Sequence, residues 1–459
     1  MGGARLLVAS NRGPVSFTLD ERGRPKVVGS AGGLASALQP LFEGRPATWV
    51  ACAMSDADRL AADAGLMDDR GFELVMVQPD PGVYRMAYDV VANSTLWYLH
   101  HNLFDLARRP RFDRTWATAW EAYRSFNRSF AAAVAGAAEE GATVLVQDYH
   151  LCLLPKMLAE KRPDLRTIHF THTPFADPIL IRVLPQAVAR ELLEGMAAAR
   201  ACGFHTARWE AGFRGCCQEL AVEAPPSFVG PLTPDPDRLA SRIAAPGFAA
   251  AVQRVDDLVA GRKLVVRVDR VEPAKNMLRG LWAFDEMLRL RPDLRSKVVL
   301  LSLAYPSRET LPEYQAYRTE VDHLARRVND TWGDDTWTPV AHEVADDPDR
   351  SLAALTRYDV LLVNPVRDGL NLVAKEGPLV NTTHGVLALS REAGSFEELR
   401  GAALEVNPFD VAGTAEVLAE ALDMPAPERA RRAQALRALV RRREPSDWLV
   451  DQLTAAGGA

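Results

Sequence analysis

The sequence predicts an α/β protein built on parallel sheets with helices on both faces. Strand-like apolar runs alternate with helix-like amphipathic runs almost throughout the 459 residues. Those apolar runs end in polar residues, as strands do when they deliver loops to one edge of a sheet. A proline-rich crossing between Ala221 and Arg262 is followed at Lys263 by a fresh cycle, which repeats at the level of fold the one begun at Leu6. The length suits two domains, each with its own core.

Composition narrows the function. The 54 basic and 60 acidic residues give a net charge of -6, so nothing at the level of the whole chain points to nucleic acid or to an anionic membrane. No apolar run reaches the length of a bilayer span. Met1 to Arg5 lead directly into the strand-like Leu6–Ala9 rather than into a signal peptide, so a cytoplasmic protein is expected. Cys52, Cys152, Cys202, Cys216 and Cys217 are odd in number and lack ligand spacing, which suits buried thiols.

In the first cycle a strand from Leu6 to Ser10 leads to Asn11-Arg12-Gly13-Pro14. After a polar, hairpin-like excursion, Gly29-Ser30-Ala31-Gly32-Gly33-Leu34 opens a helix running towards Leu41. Gly32-Gly33 lets backbone approach a ligand, and Arg12 offers a forked donor for phosphate; a tight turn and a solvated charge read equally well. Thr48 to Cys52 is a strand, and Tyr88 to Trp97 reads as a loop passing into a helix. Trp116, Trp120, Tyr123 and Phe130 fall at helical spacing and form a core face. Val144–Val146 and Thr167–Phe170 are buried strands followed by Gln147-Asp148-Tyr149-His150 and Thr171-His172-Thr173. Asp148, His150, His169 and His172 are of metal-ligating type. Their spacing fits two separate strand ends rather than one metal site, so no metal is expected.

In the second cycle the strand from Lys263 to Val268 continues into Asp269-Arg270-Val271-Glu272-Pro273-Ala274-Lys275-Asn276, with a helix from about Met277. Arg270 and Lys275 stand above a parallel strand near a helix start, where two cations would neutralise a diphosphate leaving group; as isolated residues they would be surface charges. Val298–Leu301 leads to another arginine, Arg308. The stretch Leu361–Gly377 reads strand, Arg367-Asp368-Gly369 turn, and helix start near Asn371. At such a junction free N–H groups and the helix dipole favour a phosphorylated ligand, while Asp368 and Glu376 could accept from sugar hydroxyls. An ordinary surface turn is the competing reading. A strand from Gly385 to Ser390 follows, and Arg429 to Arg443 reads as a solvated helix face rather than a nucleic-acid patch. Pro445-Ser446 break that helix before a short final one from Asp447.

Ser10-Asn11-Arg12, Val146-Gln147-Asp148-Tyr149-His150, Arg270 to Lys275 and Arg367 to Glu376, taken in this order, resemble the trehalose-6-phosphate synthases. These are retaining glycosyltransferases of the GT-B fold, with two Rossmann-like domains and an active site in the cleft between them. The resemblance covers nearly the whole chain. It implies an acceptor-binding domain over 1–235, a nucleotide-sugar-binding domain over 236–444, and a C-terminal helix over 445–459 packed back on the first domain. It implies transfer of glucose from UDP- or GDP-glucose to glucose 6-phosphate, giving α,α-trehalose 6-phosphate by front-face transfer with no cofactor and no metal. Arg12, Tyr88, Trp97 and Arg308 match the residues around the acceptor phosphate, and Asp148 and His172 those lining the reacting sugars. Arg270 and Lys275 match the pair on the donor diphosphate, Gly33 the glycine loop over it, and Glu376 the ribose ligand. Asp368 with the backbone amides of Leu370, Asn371 and Leu372 matches the grip on the transferred sugar. The implied partners are a nucleotide sugar and a phosphorylated small molecule, with no nucleic acid and no membrane, and with room for a homo-oligomer.

Three departures bear on specificity. Ala51-Cys52-Ala53 stands where the family often has a second tryptophan wall. Pro231-Leu232-Thr233-Pro234-Asp235 replaces a glycine-containing crossing, and His205 stands where glutamine is commoner. They leave two alternatives: a related (pseudo)glycosyltransferase acting on a cyclitol phosphate or nucleotide in antibiotic biosynthesis, and a non-catalytic sugar-phosphate sensor. A sensor is expected to have eroded the donor loop, which is intact here.

Overall fold

The computed structural model describes residues 6–29, 38, 42, 47–66 and 73–457. The chain divides into two compact units, Met1–Leu232 with Pro445–Ala459, and Thr233–Glu444. The division falls three residues before the expected one at 235. Leu232 is buried, whereas Asp235 caps the helix Pro236–Ile243 by accepting from the N–H groups of Asp237 and Arg238 at 2.9 and 3.1 Å.

In the first unit the described strands are β1 (Leu6–Ser10), β2 (Val15–Leu19), β3 (Pro25–Gly29), β4 (Ala47–Cys52), β5 (Glu73–Val77), β6 (Thr143–Gln147), β7 (Arg166–Thr171), β8 (Ala201–Phe204) and β9 (Ser227–Val229). Seven of them form a parallel sheet in the order β5-β4-β1-β6-β7-β8-β9, and β2-β3 is a separate antiparallel hairpin. The central strands are apolar and buried along nearly their whole length, as strands covered on both faces must be. The aromatic stripe lies inside the helix Arg114–Ala137, with Trp116, Trp120, Tyr123 and Phe130 all buried. Tyr88 to Trp97 is not a loop: Met86–Leu96 is a continuous π-type helix passing into Trp97–His100. All five cysteines are free and buried. The terminal helix Asp447–Ala455 buries Trp448 against Phe170, with ring centroids 5.2 Å apart.

In the second unit β10 (Lys263–Arg270), β11 (Val298–Tyr305), β12 (Val340–Val344), β13 (Val360–Val363), β14 (Val386–Ser390) and β15 (Leu404–Val406) pair in the order β12-β11-β10-β13-β14-β15, every described pair parallel. Apolar clusters lie on its two sides, one around Phe284 and Trp337, the other around Leu355 and Leu436. In both units the order reverses beside the first strand, β1 or β10. This is the switch-point topology whose loops gather at the carboxyl ends of the strands. No helix among the described residues is long and apolar enough to cross a membrane.

Candidate functional site

Every described residue singled out above for a site, except Tyr88, Trp97 and Glu376, stands at or just beyond the carboxyl end of a parallel strand. Arg12 follows β1, Asp148 β6, His172 β7, Arg308 β11 and Asp368 β13, while Arg270 ends β10 and Lys275 lies in the short 3-10 turn after it. Gly32-Gly33 lie outside the described residues, and of the helix expected beyond them towards Leu41 only Leu38, helical and buried, is described.

In the second unit the polar groups are braced in pairs. Lys275 Nζ donates to Asp368 Oδ2 at 2.5 Å, and Asn371 Nδ2 donates to the same oxygen at 3.1 Å. Burial opposes the charge on Lys275, but the carboxylates of Asp368, Asp269 and Glu272 outweigh it and hold the ammonium above its ordinary pKa. Arg267, fully buried, fixes the turn from below: its Nη2 donates to the Lys275 carbonyl and to Asp269 Oδ2, both at 2.8 Å. Asn276, at a left-handed φ of 57°, ties the turn to the carbonyls of Asn364 and Pro408. Arg270 pairs with Glu272 Oε1 and Arg308 with Glu272 Oε2, each at 2.9 Å, so one buried carboxylate orients two guanidiniums. Arg308 therefore stands beside Arg270 in the second unit, not on the elements that carry Arg12, Tyr88 and Trp97.

The loop after β13 is held against the turn after β14. Gly394 N donates to Asp368 O, Ser395 N to Leu370 O and Asp368 N to Glu392 O, at 2.8 to 3.1 Å. A side chain at Gly394 would start 2.0 Å from the Gly369 carbonyl, so only glycine permits this approach. Asn371 takes a left-handed φ of 74° and its Oδ1 accepts from Ala374 N at 3.2 Å, so the helix begins at Val373 rather than at Asn371. Among the described residues, no acceptor is paired with the N–H groups of Leu370, Asn371 and Leu372. Glu376, half-buried in the first turn, has no side-chain partner among the described residues, and burial pushes its carboxyl up.

The first unit is built differently. Asp148 follows β6 at φ 71°, a backbone region that costs a residue other than glycine about 1–3 kcal/mol. Its N–H donates to Phe170 O at 2.7 Å and its Oδ1 accepts from His172 N at 3.1 Å. His172 Nε2 lies 2.9 Å from Gln147 Oε1 and its Nδ1 3.1 Å from His205 Nε2. Burial, then the neighbouring His205 and His169, hold the His172 ring well below the ordinary imidazole range, so it is neutral at pH 7. Tyr88 stacks between Tyr84 and His150, with centroids 5.2 and 5.7 Å away, and buried Trp97 leans on Tyr149 at 5.7 Å. Tyr123 and Asn127, from the long helix, hold the turn Tyr149–Leu151 through its backbone. Arg12 is exposed. Cys52 is buried at the end of β4, and burial pushes its thiol up to about 12, which leaves it inert as a nucleophile. Among the described residues no group of three His, Cys, Asp or Glu side chains could hold a metal ion.

Reading the sequence did not assign the Gln147–His172–His205 row, the shared Glu272, or Arg267. His205 stood out only as a departure, and the Glu in Val271-Glu272-Pro273 was the only local sign of the second.

A family model described as glycosyltransferase family 20 matches residues 4–456. The bifunctional trehalose-6-phosphate synthase/phosphatase of Thermoproteus tenax is 33% identical over 97% of this chain, and the chain spans 62% of that relative's own length. The trehalose-6-phosphate synthase of Mycolicibacterium smegmatis is 33% identical over 99% of this chain and 93% of its own. An α,α-trehalose-phosphate synthase (UDP-forming) from Burkholderia xenovorans, solved in complex with glucose-6-phosphate, superposes with a TM-score of 0.84 at 27% identity, covering 99% of this chain and 100% of that one. The two sheets are thus the two Rossmann-like halves of the GT-B fold, and the chain belongs to glycosyltransferase family 20, the family of the trehalose-6-phosphate synthases.

Proposed function

We propose that this chain transfers glucose, with retention, from UDP- or GDP-glucose to glucose 6-phosphate, giving α,α-trehalose 6-phosphate. The observation that carries the donor half is the paired Lys275 and Asp368 beside Arg270 and the three N–H groups of Leu370, Asn371 and Leu372. That is a cation pair for a diphosphate next to a helix-start cradle for a sugar. Glu376 takes the ribose hydroxyls. The Burkholderia relative, named as UDP-forming and solved with glucose-6-phosphate, supports both substrate classes.

The first unit supplies the acceptor half, with Arg12 on the phosphate, Tyr88 and Trp97 as walls, and Asp148 and His172 lining the reacting sugars; Arg308 is the remaining residue matched to the acceptor phosphate. The anomeric C–O bond to the departing diphosphate breaks as Arg270 and Lys275 take up its charge. The diphosphate oxygen accepts the proton of the acceptor hydroxyl, which attacks from the same face of an oxocarbenium-like sugar. The two cations do the work a metal would otherwise do, so a chelator leaves the rate unchanged. Cytoplasmic sugar phosphates and nucleotide sugars fit this reading.

A second reading rests on Cys52. With no aromatic wall at that position, a cyclitol phosphate or a nucleotide could replace glucose 6-phosphate as acceptor. The deciding experiment measures UDP and GDP release from their glucose donors with glucose 6-phosphate and with a panel of other phosphorylated acceptors, products being identified by mass. Accumulation of trehalose 6-phosphate with glucose 6-phosphate alone upholds the first reading. Release with another acceptor only overturns it in favour of the second.

A further inference from the structure

Gln147, His172 and His205 end three neighbouring parallel strands, β6, β7 and β8, and form a hydrogen-bonded row across the edge of the sheet. Gln147 Oε1 faces His172 Nε2 at 2.9 Å; with the amide in this orientation the oxygen accepts and the His172 proton lies on Nε2, while Gln147 Nε2 stays buried with no partner among the described residues. Nδ1 is then a lone pair, and the 3.1 Å contact requires His205 to donate from its own Nε2. Both ring nitrogens of His172 thus have a partner within the first unit. Phe170 and Trp448 flank the ring, with centroids 4.8 and 5.9 Å away. The backbone N–H of His172 donates to Asp148 Oδ1.

We propose that His205 is a positioning residue of the transfer reaction: it locks His172 as the Nε2–H tautomer, and the locked row holds the backbone that aims the Asp148 carboxylate. The proposal rests on the reading of Asp148 as a group lining the reacting sugars. Asp148 is held at φ 71°, a conformation that persists only where the surroundings over-determine it. The N–H of His172 is one of the constraints on its side chain. Without a donor at 205, the part-buried Nδ1 of His172 loses its hydrogen-bond partner. The ring then gains by changing tautomer or turning, and either change disturbs Gln147 or the backbone at 172.

The test compares the full-length enzyme with H205Q and H205L by nitrogen-15 spectra of the imidazoles, kcat and KM for the donor, and thermal unfolding. Glutamine carries an amide N–H able to replace the donor; leucine does not. The expected result is an Nε2–H tautomer for His172 in the wild type and in H205Q, and a tautomer mixture in H205L. In H205L kcat falls about tenfold, the loss of one buried hydrogen bond, with donor KM within about twofold; H205Q recovers most of that rate. Should H205L not fold, Q147L frees the other nitrogen and is expected to release the tautomer with a similar loss of kcat. An unchanged tautomer in H205L, or equal losses of kcat in H205Q and H205L, overturns the proposal. The tautomer is read without substrate, so absence of sugar transfer with every acceptor would sink the functional reading and leave the lock standing. Transfer with a tautomer indifferent to position 205 would do the reverse.

Discussion

The two units carry similar sheets but build their polar edges by opposite means. In the second, charges are matched against charges: Lys275 with Asp368, Arg270 and Arg308 with Glu272, Arg267 with Asp269. In the first, neutral rings and amides are chained together, Gln147 to His172 to His205, beside the stack of Tyr84, Tyr88 and His150. A buried ion pair keeps its geometry because separation leaves an unpaired charge. A neutral chain keeps its geometry only while each proton stays on the right atom. The half proposed to hold the donor should therefore fail when a charge is removed, and the half proposed to hold the acceptor when the pH moves.

The largest effect is expected from Arg270→Ala. Glu272 keeps Arg308, so the fold should survive, while the proposed diphosphate site loses one of its two cations. Losing a preorganised group of this kind costs roughly 10²–10³ in turnover. Diphosphate release should fall by that factor with every acceptor tried. An Arg270→Ala enzyme within tenfold of wild type would remove the donor role from the paired-charge half.

The acid response separates the halves next. His169 is fully buried in β7, and burial lowers its pKa from an ordinary 6.5 to about 4; His172 is lowered in the same direction. Below pH 6.5 the unfolded chain binds protons that the folded one refuses. Stability is therefore complete above 6.5 and falls as the pH drops towards 4, by about 3 kcal/mol for His169 alone. Lys275, with its pKa raised, loses nothing over that range. Hydrogen exchange at pH 5 should accelerate in β6, β7 and β8 before β10 and β13. Uniform acceleration across both sheets would erase the contrast.

The comparison also explains what could be read in advance. Parallel α/β architecture was legible because buried strands such as Val144–Val146 and Val298–Leu301 are apolar runs at regular intervals. Five short strands were not assigned from sequence: β5, β8, β9, β12 and β15. Sequences such as Ala201-Cys202-Gly203-Phe204 carry too little pattern, and pairing with a neighbour decides them. The residues proposed to hold the donor were visible because the turn after β10 and the loop after β13 are each continuous in sequence. The His172 row was not, since its members lie 25 and 33 residues apart and meet only across strands. Arg308 shows the same limit: its neighbour Glu272 is 36 residues away.

Arg12→Ala probes the acceptor half directly. A guanidinium that meets a phosphate contributes about 1.5–3 kcal/mol, so KM for a phosphorylated acceptor should rise roughly 10- to 100-fold, by the free-energy scale of binding. The donor KM should hold steady. Arg12→Lys should recover part of the loss, because an ammonium keeps the charge without the fork. A matching rise in donor KM would show that Arg12 serves the donor instead.

The smallest effect should come from Asn371→Gly. Asn371 spans both kinds of construction in the second unit: its Nδ2 braces Asp368, its Oδ1 accepts from Ala374 N, and its backbone sits at φ 74°. Glycine relieves the left-handed strain but loses both side-chain bonds. The capping bond contributes only a few tenths of a kcal/mol over glycine, and Asp368 still has Lys275. The unfolding free energy should thus change by less than about 1 kcal/mol, and donor KM should rise only severalfold. If instead Asn371→Gly were as damaging as Arg270→Ala, orientation of Asp368 by a neutral amide would matter as much as charge, and the donor half would be governed by the same rule as the imidazole row.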